Sequence, residues 1–171
     1  MSDRVLVAYG TRTGTTASVA EFMGEILAAE GLQVDVRKVR EAEGASGYDA
    51  VVLGSAIRAG KLMPEIVEFV KANQAGLKAM PFAAFLVCAT LQEDTEENRE
   101  EVAGYLTPMR ELVEPDVEGY FAGAIDMNKL SWPLRLLLRI MKAEGGDWRD
   151  WGAIRVWAGR LPEALGLDTS G

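Results

Sequence analysis

The chain has 171 residues, nearly half of them apolar and about a quarter charged, which is the composition of a protein that folds on its own. Its formal charge of -8, from 26 acidic against 18 basic residues, disfavours a broad nucleic-acid-binding surface. With no histidine and one cysteine, Cys88, it lacks the commonest general base and metal ligands and cannot form an internal disulfide. We therefore expect a single domain over residues 1–171, with no metal site and no catalytic side chain.

Apolar, β-branched segments alternate along the chain with longer amphipathic segments, which is typical of a parallel sheet covered by helices on both faces. The strands are predicted at 5–9, 32–39, 48–56, 81–89 and 117–125. The helices are predicted at 15–30, 64–78, 94–113 and 150–165. This alternation predicts a doubly wound α/β fold, in which the functional loops lie at the carboxyl ends of the strands.

A loop rich in glycine and threonine separates the first strand from the first helix. The start of a helix carries unpaired amide groups and the positive end of the helix dipole, so it favours an anion. Gly14 lets the backbone approach such an anion closely. Hydroxyl donors surround this position at Thr11, Thr13, Thr15 and Thr16. The loop lacks both the lysine of a Walker loop and the three glycines of a dinucleotide fingerprint, which favours the phosphate of a mononucleotide.

The pattern Thr-x-Thr-Gly-x-Thr at residues 11–16, after the strand VLVAY, resembles the phosphate loop of flavodoxins, which bind flavin mononucleotide (FMN). The resemblance covers nearly the whole chain and implies a five-stranded parallel sheet in the order 2-1-3-4-5. In flavodoxins two further loops hold the isoalloxazine ring, and their positions here are 55–60 and 89–92. The resemblance implies that FMN is held by Thr11, Arg12, Thr13, Gly14, Thr15, Thr16, Ser55, Ala56, Ile57, Arg58, Gly60, Ala89, Thr90 and Leu91.

The two ring loops contain no aromatic residue, which distinguishes this chain from many flavodoxins. With Ile-Arg-x-Gly at 57–60, the first ring loop is similar to that of the flavodoxin-like menaquinone-dependent protoporphyrinogen oxidases, and so is the later segment WPLRLLLRIMKAEGG. The resemblance implies an FMN-binding redox protein that carries electrons between a reductant and an acceptor, which is a partner protein or a quinone. The alternative is an enzyme that oxidises protoporphyrinogen IX and reduces menaquinone.

A segment at about 126–148 is inserted between the fifth strand and the last helix. It contains a predicted basic amphipathic helix of about a dozen residues, which is too short to span a bilayer. One face of this helix is basic, with Arg135, Arg139 and Lys142, and another is apolar, with Leu134, Leu137, Leu138 and Met141. The helix is predicted either to pack on its own domain or in a homodimer, or to contact a redox partner or an anionic membrane surface.

The first residues of the chain contain no basic region followed by a long apolar one. This pattern predicts a cytoplasmic protein. Contact of the basic helix with lipid would place the protein peripherally at the inner face of the membrane.

Three single residues have predicted roles beside these motifs. Arg58 either stabilises a reduced flavin or forms a surface ion pair with a carboxylate such as Glu65. Gly60 can turn its peptide so that its carbonyl meets the N5 hydrogen of reduced flavin. Cys88 is interpreted as a core residue rather than a redox thiol, because it ends an apolar strand.

Overall fold

A parallel sheet forms the centre of the protein, whose computed structural model describes residues 2–141 and 145–170. In chain order the strands are β1 (Arg4–Gly10), β2 (Gln33–Lys38), β3 (Ala50–Arg58), β4 (Lys61–Leu62), β5 (Phe82–Cys88), β6 (Val117–Ala122), β7 (Ala124–Ile125) and β8 (Gly146–Asp147). The helices are α1 (Thr15–Ala29), α2 (Pro64–Ala72), α3 (Gln74–Lys78), α4 (Glu96–Gly104), α5 (Thr107–Leu112), α6 (Trp132–Ile140) and α7 (Trp151–Ala164). The order β2-β1-β3-β5-β6 confirms the predicted order 2-1-3-4-5, since β4 is a short antiparallel addition to β3.

Helices cover both faces of this sheet because its central strands are apolar on both sides. Every residue of β5 is buried, for example, although successive side chains point to opposite faces. On one face α1 and α7 share a core that includes Met23 and Ile154. On the other face α2, α4 and α5 share a core that includes Ile66, Val102 and Met109. The doubly wound α/β architecture is thus confirmed, and the carboxyl ends of the parallel strands meet at one edge of the sheet.

The single helix predicted at 94–113 is wrong, because α4 ends at Gly104 and α5 follows as a separate helix. Glycine is a poor helix former, and Pro108 has no N–H to donate to the carbonyl of Gly104, as a continuous helix would require. Pro108 lies in the first turn of α5, where its missing N–H is not needed. The break allows Leu106 and Met109 to be buried together in the core.

The helix predicted at 64–78 is also interrupted, at Asn73. The Nδ2 group of Asn73 donates to the carbonyl of Phe69 at 2.9 Å, and its Oδ1 accepts from the N–H of Ala45 at 3.0 Å. An asparagine side chain that competes for backbone hydrogen bonds in this way favours a helix end. The bond between Ala45 and Asn73 joins the end of α2 to the segment before β3.

The strand predicted at 117–125 is divided by Gly123. Its first part, β6, lies in the main sheet, while its second part, β7, pairs with β8 in a separate antiparallel ribbon. The N–H of Gly123 donates to the carbonyl of Cys88 at 3.2 Å, and a Cβ at Gly123 would lie 3.3 Å from Cγ1 of Val87. The predicted insertion therefore begins where the chain passes closely over the end of β5. In chain order, helix α6 follows β7 and precedes β8.

In the part of the chain that the structure describes, every helix is either too short or too polar to cross a membrane.

Candidate cofactor site

The loop between β1 and α1 presents the start of a helix at the carboxyl edge of the sheet. Gly14 precedes α1 with a φ of +89°, in the left-handed region that favours glycine. No side chain caps α1, and its first turn contains no acidic residue. The first amide groups of α1 thus have no side-chain partner and are available to an anion.

The threonines of this loop have different roles. Thr11 Oγ1 accepts a hydrogen bond from the N–H of Gly14 at 3.1 Å, which closes the turn. Thr15 Oγ1 donates to the carbonyl of Ala124 at 3.3 Å, which joins the loop to β7. Thr16 is fully buried, and its Oγ1 has no hydrogen-bond partner among the described residues. A buried hydroxyl without a partner costs stability, so its position indicates a ligand that accepts a hydrogen bond.

A cavity of about 240 Å³ extends from the loop to the ends of β3 and β5. It brings together seven of the residues predicted to hold FMN, namely Thr11, Thr13, Thr15, Thr16, Ala56, Ile57 and Ala89. The remaining lining residues, which the sequence analysis did not assign to the site, are Val87, Gly123, Ala124, Ile125, Leu130, Leu134 and Leu138. The lining combines hydroxyl groups with an apolar surface, which are the contacts that a flavin phosphate and a flavin ring require.

Three of the missed residues belong to the insertion: Leu130, Leu134 and Leu138. They are spaced four residues apart, so that they share one side of α6 and of the turn before it. This spacing was visible in the sequence and indicated a common contact. It could not indicate that the contact is the cofactor cavity, because the position of α6 depends on how the ribbon of β7 and β8 leaves the sheet.

Several predicted residues lie near the cavity without lining it. Ser55 is buried, and its hydroxyl donates to the carbonyl of Ala56 at 2.7 Å and accepts from the N–H of Met63 at 3.0 Å. Its side chain thus stabilises the end of β3. Thr90 and Leu91 lie in a 3₁₀ turn after β5, and Leu91 is buried. A direct contact of these residues with FMN stays a prediction.

The predicted residues Arg58 and Gly60 lie in the tight hairpin between β3 and β4. Gly60 has a φ of +72°, so the turn requires the conformational freedom that the sequence analysis assigned to it. Glu65, the carboxylate considered as a partner of Arg58, forms its ion pair with Arg40 instead, at 3.7 Å. Among the described residues Arg58 has no carboxylate within 4.0 Å, and its contact with a flavin stays a prediction.

A larger cleft, of about 670 Å³, also borders the loop. Arg12 and Gly14, two further residues predicted to hold the phosphate, line this cleft rather than the smaller cavity. Its other charged lining residues are Lys38, Arg40, Glu41 and Glu65. Because charges of both signs suit an apolar ring poorly, we assign the flavin ring to the smaller cavity.

Arg149 fastens the β7–β8 ribbon to α1. Its guanidinium donates to the carboxylate of Asp147 through Nε and Nη2, at 2.8 and 2.6 Å, and Nη1 donates to Oγ of Ser18 at 2.6 Å. The guanidinium also lies 4.9 Å from the centre of the Trp151 ring. The hydrogen bonds from Arg149 lower the pKa of Asp147 to about 2. The insertion is thereby held beside the helix whose first turn faces the cavity.

We expect Asp147 to stabilise the folded state only while its carboxylate is ionised. The pKa of about 2 lies below the ordinary value of 3.8, so this contribution is complete above pH 3.8 and is lost as the pH falls through 2. The side chain is 51% exposed, which limits the contribution to that of a surface pair, below about 1 kcal/mol. In thermal unfolding, Asp147→Asn should lower the midpoint slightly at pH 7, and the difference should shrink towards pH 2. A difference that does not change with pH would contradict the ion pair.

Helix α6 is apolar on two sides. Leu134 and Leu138 line the cavity, while Trp132 and Ile140 do not line it and are 73% and 70% exposed. The further exposed apolar residues of this segment are Leu136, Leu137 and Met141, and Leu134 itself is 37% exposed at the edge of the cavity. The predicted apolar face is therefore only partly covered by the domain. We call the exposed set, Trp132, Leu136, Leu137, Ile140 and Met141, the outer face of α6.

Two of the three residues of the predicted basic face, Arg135 and Arg139, lie in different surroundings. Arg135 donates through Nη2 to the carbonyl of Leu130 at 3.1 Å, and its Nε is buried. Arg139 is exposed. Lys142, the third residue of the predicted basic face, lies outside the described residues. Among the described residues of the predicted basic face, Arg139 provides an exposed positive charge next to the outer face.

The residues around the cavity fit FMN. The uncapped start of α1 and the unpaired hydroxyl of Thr16 suit a dianionic phosphate. Ala56 and Ile57 provide apolar contacts for a flat ring. The volume of about 240 Å³ is slightly below the roughly 300–1,000 Å³ of typical ligand pockets, so a bound flavin would fill the cavity and reach its surface.

Most of the chain is similar to proteins that contain a flavodoxin domain. The family model described as flavodoxin domain matches residues 6–150. The protoporphyrinogen IX dehydrogenase (quinone) of Escherichia coli (strain K12) is 31% identical over 150 residues, which cover 84% of this chain and 82% of the relative. The protein of the same name from Leishmania major is 28% identical over 172 residues, which cover 92% of this chain and 74% of the relative. A flavodoxin from Streptococcus pneumoniae TIGR4 has a TM-score of 0.58 at 15% identity, with 95% of this chain and 97% of that structure covered.

The doubly wound sheet and the loop before α1 define a mononucleotide-binding α/β protein. The chain belongs to the flavodoxin domain family. Flavodoxins carry electrons on FMN, and this chain is accordingly an FMN-binding redox protein. The resemblance to the menaquinone-dependent protoporphyrinogen oxidases is confirmed as well.

Proposed function

We propose that this protein is an FMN-dependent oxidoreductase that takes electrons from a porphyrinogen and passes them to a quinone dissolved in a membrane. The observation that carries the proposal is helix α6, because it lines the cofactor cavity with one side and exposes apolar side chains on the other. The relatives from E. coli and Leishmania major are named as dehydrogenases of protoporphyrinogen IX that use a quinone. A membrane quinone is an apolar acceptor, which suits the outer face of α6.

The residues of the chain would bind the cofactor and exclude water from it. FMN, when bound, supplies the redox chemistry by taking two electrons from a reduced substrate and giving them to an acceptor. The start of α1 and the Thr16 hydroxyl would hold its phosphate, while Ile57, Leu134 and Leu138 would shield the ring. Each two-electron oxidation of a porphyrinogen releases two protons, and each quinone takes up two electrons and two protons to become a quinol. The reaction therefore balances without a further oxidant.

The outer face of α6 has the properties of a helix that lies in a membrane surface. Tryptophan is enriched at membrane surfaces, and this face contains Trp132. Arg139 provides a positive charge beside the same face. An acceptor resting on this face would be separated from the cavity by the width of one helix, about 10 Å. Because the whole chain carries a charge of -8, attraction to anionic lipid would be local to this face. We place this contact at the inner face of the membrane.

The test compares acceptors in a membrane with acceptors in water. FMN-loaded protein is mixed under anaerobic conditions with protoporphyrinogen IX and with menaquinone in vesicles of anionic phospholipid, and porphyrin fluorescence is followed. The double variant Leu136→Glu/Ile140→Glu should bind FMN as the wild type does, yet form porphyrin at least about tenfold more slowly, because charges are disfavoured in an apolar interface. With water-soluble menadione as the acceptor, the same variant should lose little activity.

Val156→Glu is the matched control, since Val156 is an apolar residue of α7 that is 52% exposed and lies outside the insertion. It should behave as the wild type with both acceptors. Failure of the wild-type protein to oxidise the porphyrinogen with either quinone would refute the proposed reaction. Equal activity of the double variant and the wild type on vesicles would refute the membrane route.

A second candidate function is that of an electron carrier for a protein partner. The charge of -8 favours it, because an acidic surface suits docking to basic redox proteins. In that case the reduced protein should transfer electrons to a basic acceptor such as cytochrome c, at a rate that falls with ionic strength, and should not oxidise the porphyrinogen. Pairing of two copies through the outer face of α6 would instead appear as a dimer in sedimentation velocity without vesicles.

A further inference from the structure

We propose that Lys129, a residue of the insertion, is a ligand of the terminal phosphate of FMN and makes the site selective for phosphorylated flavins. The inference rests on FMN binding by this protein, and it does not depend on the nature of the electron donor or acceptor. It assigns to the insertion a second role, in which the segment that covers the flavin ring also neutralises the charge at the other end of the cofactor.

Lys129 lies beside the loop that precedes α1. Its ammonium group lies 4.0 Å from the place where a Cβ on Gly14 would be, directly at the start of α1. Lys129 is far from this loop in the sequence, and it reaches the loop because β7 leaves the sheet at Gly123 and is joined to Thr15 through the carbonyl of Ala124. The sequence analysis did not assign Lys129 to the site.

The charges at this position favour an anion between the ammonium group of Lys129 and the start of α1. The start of α1 carries the positive end of the helix dipole, so an ammonium group beside it is repelled unless a negative charge lies nearby. Among the described residues Lys129 has no carboxylate within 4.0 Å, and the first turn of α1 contains no acidic residue. The ammonium group of Lys129 and the start of α1 are thus two positive centres close together, and a phosphate dianion in contact with both would be stabilised by both.

Polar groups on either side of Gly14 in the sequence supply further donors. Thr16 is fully buried with an unpaired Oγ1 and lines the cavity, as Thr13 does. A buried hydroxyl that has no partner among the described residues indicates a ligand independently of the helix dipole. The donors available to a phosphate are therefore the first amide groups of α1, the hydroxyls of Thr13 and Thr16, and the ammonium group of Lys129.

The turn that carries Lys129 is held in place by its own hydrogen bonds. Asp126 Oδ1 accepts from the N–H of Asn128 at 2.9 Å, and the carbonyl of Asp126 accepts from the N–H of Lys129 at 3.0 Å. The next residue, Leu130, lines the cavity. Adjacent residues of one short turn would thus contact the phosphate and the apolar part of the cofactor, and because the backbone of the turn is already ordered, little backbone entropy is lost when FMN binds.

The experiment compares FMN with riboflavin, which has the same ring and no phosphate. Dissociation constants are measured by quenching of flavin fluorescence for the wild type and Lys129→Met. We expect the constant for FMN to rise by roughly tenfold in Lys129→Met, because a charge-assisted hydrogen bond is lost, while the constant for riboflavin stays unchanged. The dependence of FMN binding on salt concentration should also become weaker, and Lys129→Arg should restore both properties.

Lys78→Met is the matched control, because Lys78 is exposed on α3 and lies just before β5, at the opposite edge of the sheet. It should bind both flavins as the wild type does. An FMN constant for Lys129→Met within twofold of the wild-type value, or an equal loss for FMN and riboflavin, would overturn the inference. A wild-type protein that does not bind FMN would overturn the inference together with the cofactor assignment.

Discussion

Replacing both Thr13 and Thr16 by valine should weaken FMN binding by about a hundredfold or more, while the protein without flavin becomes no less stable. Each hydroxyl can donate a hydrogen bond to a charged phosphate, and such bonds contribute about 1.5–3 kcal/mol each. In the flavin-free protein, however, Thr16 Oγ1 is buried without a partner. Valine has nearly the same shape and removes this unpaired group, so the free energy of unfolding without FMN should rise by up to about 1 kcal/mol.

The opposite signs of these two effects make the prediction specific. FMN affinity is measured by fluorescence titration, and stability by urea denaturation of the flavin-free protein. Thr107→Val is the control, because Thr107 is exposed at the start of α5 and does not line the cavity. A double variant that keeps wild-type affinity for FMN would exclude the loop as the phosphate site. A variant that loses affinity and stability together would indicate damage to the fold rather than loss of phosphate contacts.

Gly54→Ala should destabilise the protein by about 3 kcal/mol or more, as expected for a severe clash in a packed core. Gly54 lies in β3 at the centre of the sheet, and an added Cβ would lie 2.0 Å from Cζ of Phe85. The Phe85 ring is fully buried, and it packs against Phe121 and Trp157 with ring centres 6.4 and 6.1 Å away. Because this ring is buried among other rings, relief of the clash requires a shift of the ring, its neighbours or the strand itself.

Gly159→Ala is the control, because it makes the same substitution at a site where the added methyl group causes no clash. Gly159 lies within α7, and a Cβ there would meet no atom within 4 Å. Because alanine is the better helix former, this variant should gain about 0.5–1 kcal/mol. Both free energies of unfolding come from urea denaturation. A Gly54→Ala variant as stable as the wild type would show that β3 can shift, and the position of Ala56 and Ile57 at the cavity would then be less fixed than we infer.

The sheet and the phosphate loop could be predicted because both depend on local patterns. Strands β1, β3 and β5 are apolar segments whose length and turns identify them, and the hydroxyls at 11–16 stand directly between a strand and a helix. The chemistry of a helix start does not depend on the rest of the fold. Family resemblance then specified the ring loops, of which Ala56, Ile57 and Ala89 do line the cavity.

The features that sequence reasoning missed depend on contacts between distant parts of the chain. The end of α2 at Asn73 is fixed by a hydrogen bond to Ala45, 28 residues away. The contribution of Leu130 and Lys129 to the site depends on the departure of the chain at Gly123, where the backbone passes over the end of β5. The residue pattern of the insertion cannot predict where Leu130 and Lys129 lie, because their position is set by the surface against which the insertion packs.

Helix α6 contains no buried residue, and none of its side chains belongs to either core of the domain. Its sequence is thus free of the constraints that packing imposes on β5 or α1. Mutations accumulating in this helix would alter what the flavin meets at its exposed side while leaving the folding of the domain intact. A common flavin-binding scaffold could in this way acquire new electron acceptors during evolution through changes in one surface helix.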